Sequence, residues 1–260
     1  MDKSNTTTNL NTAKQVADCL ESLADEKQAQ HLMRFFKTGE GEYGEGDLFL
    51  GIKVPVTRQV VARCKTLTLD EIEILLSSQW HEVRLCGLLV LVKQIESQCK
   101  KQLINDSKAI AIRDGIVEFY LSHAHCANNW DLVDLSVYKI LGEWLMLPSN
   151  YSDEEKLATL DRLAASDNLW EQRMSMVCTL APLMHGEPNF TLRYAKHHLL
   201  HPHDLMHKAV GWMLREMGKR VSIDVLREFL GQHAHEMPRT ALRYAIERMS
   251  DEERKLWMKK

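Results

Sequence analysis

Four residues near the end of the chain fall on one line. On an α-helix stepping about 100° per residue, Lys208, Trp212, Arg215 and Lys219 lie at about 0, 40, 340 and 20°. Met206, Val210, Met213 and Met217 fall opposite, within about 140 to 200°, and would face a core. Three cations around an indole can hold a polyanion by its phosphates while an aromatic plate meets a sugar or base. The same stripe also fits a solvated charged face whose Trp is covered by a neighbouring helix. A second set lies in Asn128-Asn129-Trp130-Asp131-Leu132-Val133-Asp134, where Asn128 or Asn129 can cap a helix start. Trp130 and Asp134 are four apart and share a face, whereas Asp131 points about 100° away. The helix dipole favours an ionised Asp134 and apolar burial opposes it. Asp134 is thus either a standing anion in a site or a plain helix-start acid. Arg173 takes the matching place three residues after Trp170.

Other motifs lead away from their usual chemistry. Gly39-Glu40-Gly41-Glu42-Tyr43-Gly44 spells GxGxxG, but no strand precedes it, and glutamates with Asp47 would repel a phosphate; a surface loop is expected. His197, His198, His201, His203 and His207 suggest zinc, as does His123-Ala124-His125-Cys126. Neither run has a second ligand pair at a familiar spacing, and Pro202 breaks the helix that would align the histidines. Solvated or capping histidines are expected, with no metal. The six cysteines form no CxxC pair and read as reduced, mostly buried thiols. No GxSxG nucleophile motif occurs.

The elements that must position these residues are helices. Of 260 residues, 45% are hydrophobic and 27% charged, with only 12 Gly and 6 Pro, which excludes wholesale disorder and a fibrous fold. Segments starting at Trp80, Trp130, Trp170, His203 and Glu236 share one layout: a polar start, a charged residue, then an apolar run. Between them lie further helical patterns at 69–76, 106–123, 153–165 and 189–199. Helix pairs repeating every ~30–50 residues describe an all-α fold of HEAT-like repeats stacked in a curved solenoid, with a globular helical bundle as the alternative. Residues 1–260 read as a single such domain, with 1–12 a frayed polar lead-in. The apolar run around 85–92 is far short of the ~20 residues a membrane span needs. The N-terminus lacks a hydrophobic signal core, so a cytoplasmic protein is expected. The formal net charge of -3 excludes a globally basic coat but allows a local basic face. Residues 201–260 carry 12 basic and 9 acidic groups.

FLGIKVP (49–55), NNWDLVD (128–134), LWEQR (169–173) and KAVGWMLRE (208–216) together resemble the AlkD-like DNA alkylation-repair glycosylases, in order from about residue 35 to 249. Asn129 is a departure, since some members carry Trp there. The resemblance implies a HEAT-like protein that hydrolyses the N-glycosidic bond of N3- and N7-alkylated purines in duplex DNA. It implies a monofunctional glycosylase with no cofactor. By that likeness Trp130, Asp134 and Trp212 fall on the catalytic pocket and Arg173 on a DNA-contacting position beside it; the stripe of Lys208, Arg215 and Lys219 can hold phosphates on either side. Cationic alkylpurines are good leaving groups, so a fixed carboxylate that stabilises the sugar cation suffices. The expected protein is a monomer that acts on the lesion without enclosing the base. A non-catalytic helical scaffold binding DNA or protein is the alternative.

Overall fold

The structure, a computed structural model, describes residues 9–64 and 66–259. Among these residues there is no strand, only an isolated bridge between Leu48 and Trp80. No helix is long and apolar enough to cross a membrane. The chain divides into two compact units, Met1–Ser136 and Val137–Lys260.

The first unit contains α1 (Ala13–Glu21), α2 (Glu26–Phe35), α3 (Val54–Val61), α4 (Leu69–Leu76), α5 (His81–Gln98), α6 (Ser107–Ser122) and α7 (Trp130–Val137), the last of which runs one residue past the boundary. Side-chain caps set several starts: Thr12, Asp25, Thr68 and Asp106 each accept a backbone N–H from the first turn, satisfying donors with no intrahelical partner. Helix α5 is the central element. Every residue from His81 to Val92 is buried, with α3, α4 and α6 packed around it. Such all-round burial is what a helix with no polar face requires. Of the expected lead-in, residues 1–8 lie outside the described residues. The rest is tied down: Leu10 is buried and donates its N–H to Arg63 O at 2.9 Å, and Thr12 caps α1.

The second unit contains α8 (Glu143–Met146), α9 (Asp153–Ala164), α10 (Leu169–Val177), α11 (Leu180–Met184), α12 (Asn189–His197), α13 (Asp204–Arg220), α14 (Ile223–His233), α15 (Arg239–Ala245) and α16 (Asp251–Trp257). Helix α13 is its hub, packed by α10, α11, α12, α14 and α15. Gly211 permits the closest approach: a Cβ there would stand 2.4 Å from Ala241 O on α15. The apolar run after Trp130 is one continuous helical path, but a π-turn over Tyr138–Gly142 separates α7 from α8. Its wider hydrogen bonding resets the register of the buried face.

Candidate functional site

In the first unit the site is built on a buried ionic platform. The imidazole of His81, in the first turn of α5, faces Asp47 Oδ2 from Nδ1 at 2.7 Å and Asp131 Oδ2 from Nε2 at 3.0 Å. Arg84, one turn further on, donates Nη2–H to the other oxygen of Asp47 and to Asn128 Oδ1. All four charged residues are buried. Burial pulls the His81 pKa down, but the carboxylates of Asp131 and Asp47 outweigh it and raise it to about 9. Burial pushes Asp47 up, and His81 with Arg84 reverses this and holds its carboxyl below the ordinary value. Between them Glu82 turns to the FLGIKVP segment, accepting the backbone N–H groups of Leu50, Gly51 and Ile52 at 2.8, 2.9 and 3.0 Å. The chain must be bare at Gly51: its φ is +87°, and a Cβ would lie 2.1 Å from Asp25 O.

An aromatic stack rises from this platform. The Phe49 ring lies on His81 at 4.3 Å, Phe36 on Phe49 at 5.0 Å, and Trp130 on Phe36 at 5.1 Å, all near-parallel. Phe35, 57% exposed, meets Trp130 edge-on at 5.9 Å. Asn129 is the start residue of α7: its Oδ1 accepts Trp130 N–H at 2.9 Å, and its amide nitrogen donates to Asp47 Oδ2 at 3.3 Å. Fully buried, Asn129 joins the helix start to the platform. Trp130 and Asp134 are both half-buried and one turn apart on α7, so the structure brings these two expected residues onto one face.

In the second unit, α13 takes the expected orientation. Met206, Val210, Met213 and Met217 are buried, while Lys208, Trp212 and Arg215 are half-buried and Lys219 is exposed. The three cations already hold carboxylates. Lys208 pairs with Asp204 at 2.8 Å, Arg215 with Glu247, and Lys219 with Glu216 at 4.0 Å. A solvent-facing pair such as Lys208–Asp204 contributes at most about 1 kcal/mol. Arg173 is largely enclosed. Its side chain is not on an open surface but 4% exposed, and its Nη1–H donates to Leu205 O at 2.6 Å in the first turn of α13. Here a cation placed in sequence for DNA ties α10 to α13.

The remaining motifs resolve into structure. Gly39–Gly44 is a loop of turns, as expected, but Asp47 is its buried anchor rather than a solvated acid. His203 caps α13, accepting Leu205 N–H. His198 is buried against Ser175 Oγ at 2.8 Å, and His201 meets Gln172 Oε1 at 2.7 Å. Burial, then His197 and His201, lower the His198 pKa to about 3. The six cysteines are thiols, four of them buried. His81, Glu82 and Phe36 were not singled out by sequence, Asp47 was read only as a charge against a phosphate, Asp131 only as pointing away from Trp130, and Phe49 only within FLGIKVP; the polar run after Trp80 and the acid beside FLGIKVP are the signals that mark them.

This all-α helical-repeat fold is shared with a solved structure described as a predicted DNA alkylation repair enzyme from Enterococcus faecalis, 16% identical, with a TM-score of 0.60 over 88% of this chain and 97% of that one. No curated protein matches the chain. The DNA alkylation repair enzyme family matches residues 16–249, and the chain belongs to it.

Proposed function

We propose that this DNA alkylation repair enzyme is a monofunctional glycosylase that hydrolyses the N-glycosidic bond of cationic alkylpurines, N3-alkyladenine and N7-alkylguanine, in duplex DNA. The observation that supports this best is the family match over residues 16–249 together with Asp134 one turn beyond a rigidly stacked Trp130. Alkylation leaves the purine ring positively charged. As the bond from C1′ to the ring nitrogen breaks, its electron pair neutralises the base and the charge moves to the deoxyribose. Asp134 stabilises that sugar cation and orients the water that adds to C1′, whose proton passes through the carboxylate to solvent. Trp130 offers an electron-rich face to the cation, and Trp212 is assigned the same kind of role from α13. Lys208, Arg215 and Lys219 meet phosphates by exchanging their carboxylate partners. Arg173, assigned to a DNA-contacting position by the resemblance, also supports α13 through Leu205.

The test is incubation with methylated duplex DNA and assay of free 7-methylguanine. Asp134→Asn is expected to slow release by about 100-fold or more while duplex affinity is kept or increased. Release by the variant at the wild-type rate would remove Asp134 from the reaction. A wild type that binds duplex and releases no base would leave a DNA-binding scaffold.

A further inference from the structure

His81 sits at the base of everything that holds Trp130. Neutral imidazole carries one N–H, and here both ring nitrogens face carboxylate oxygens, at 2.7 and 3.0 Å. One of those contacts would then set lone pair against lone pair. The geometry is satisfied only when both nitrogens carry protons, which also balances the charges of Asp47 and Asp131 against His81 and Arg84. The groups around the imidazole are Asp47 from the loop, Asp131 from α7, and Glu82 and Arg84 on its own helix. Loss of the proton leaves one uncompensated buried negative charge, at a cost that favours rearrangement. The residues joined to the imidazole are those that carry the site. Asp131 follows Trp130 directly, Asn129 links Asp47 to the Trp130 N–H, and the ring under Phe36 and Trp130 is Phe49, stacked on the imidazole itself.

We propose that His81, clamped between Asp47 and Asp131 beneath the Phe49–Phe36–Trp130 stack, is a positioning residue for the glycosidic step, fixing the Trp130 indole and the first turn of α7, which Asp134 follows. The inference rests on the glycosylase reading for its consequence, though not for its structural core. Burial works against the His81 charge and the two carboxylates sustain it, so the doubly protonated form prevails at neutral pH and gives way in the alkaline range. His81 touches no substrate; its effect passes through Trp130 and Asp134.

The experiment follows Trp130 directly. Fluorescence of the full chain is recorded from pH 6 to 10, and that of Trp130→Phe in the same background is subtracted. The wild type is expected to show one transition near pH 9. His81→Gln should show none, and Asp131→Asn should show it displaced toward neutral pH, because one of the two carboxylates holding the proton is gone. Single-turnover release of 7-methylguanine should fall through the same transition in the wild type. In His81→Gln it should be slower by about 10- to 100-fold at pH 7 and flat with pH. If His81→Gln does not fold, the direction of the Asp131→Asn displacement decides. A Trp130 signal that does not titrate, that titrates unchanged in either variant, or that titrates while the rate stays level would overturn the inference. The expected fluorescence pattern in a wild type that releases no base would instead overturn the glycosylase reading and leave the clamp standing.

Discussion

Glu82 is the residue on which the first unit's least regular segment depends. One carboxylate takes three backbone donors, from Leu50, Gly51 and Ile52, with none of the four residues open to solvent. Buried donors left unmade cost about 1–3 kcal/mol each, and removal of Glu82 would strand all three. Glu82→Ala is therefore expected to destabilise the protein by about 3 kcal/mol or more, read as a lowered urea midpoint. Glu82→Gln keeps one acceptor oxygen and should fall between. Stability equal to wild type in Glu82→Ala would mean that the segment finds other partners. Asn129 shows the same economy. It starts α7 and bonds Asp47 with one side chain, which explains how a polar residue fills a fully buried place beside the site.

Among the elements, α13 shows how a helix can be wrapped on several sides and still present a stripe. Gly211 lets α15 approach: a Cβ would meet Ala241 O at 2.4 Å and Tyr244 Cβ at 2.5 Å. Backbone cannot yield as a side chain does, so Gly211→Ala should cost about 1–3 kcal/mol through overpacking, despite the better helix propensity of Ala. Gly231 in α14 is the counterexample, with nothing within 4 Å of its would-be Cβ. Gly231→Ala should stabilise by up to about 1 kcal/mol. Thermal melts of the pair should move in opposite directions, and a shared direction would refute the packing argument. Periodicity made much of this legible. The opposition of Met206, Val210, Met213 and Met217 to Lys208, Trp212 and Lys219 is helical geometry, and the structure keeps it. A cap at Asn128 or Asn129 and α4 at 69–76 were also readable, because caps and amphipathic faces are local, and the structure gives the helix start to Asn129. The platform was not: Asp47 meets His81 and Arg84 across 34 and 37 residues, and an acid among exposed glutamates looks solvated until those partners are known. Nor could spacing reveal that the Arg173 guanidinium turns inward to the Leu205 carbonyl, because the acceptor lies 32 residues further on.

For the molecule as a whole, two buried histidines set opposite edges of the stability window, one in each unit. In the first, the folded state raises His81 from its ordinary value near 6.5 to about 9. The proton binds the folded state more tightly, so this stabilisation is complete below about pH 6.5 and is lost as pH climbs through 9. In the second, burial lowers His198 to about 3. There the unfolded chain takes the proton first. Stability is untouched above about pH 6.5 and falls as pH drops toward 3, at up to about 1.4 kcal/mol per pH unit. His201 and His203 are lowered too, chiefly by burial, and steepen the same limb. Asp47, held below its ordinary value of 3.8, adds a further loss as pH falls below that value. Melting temperatures from pH 4 to 10 should therefore trace a dome with its maximum near pH 6.5. His81→Gln should flatten the alkaline limb and leave the acid limb in place, whereas His198→Gln should make the acid limb shallower and leave the alkaline limb in place. A single variant that flattened both limbs would show that the two units do not titrate independently, and an acid limb unchanged in His198→Gln would assign it to His201, His203 and the carboxylates instead.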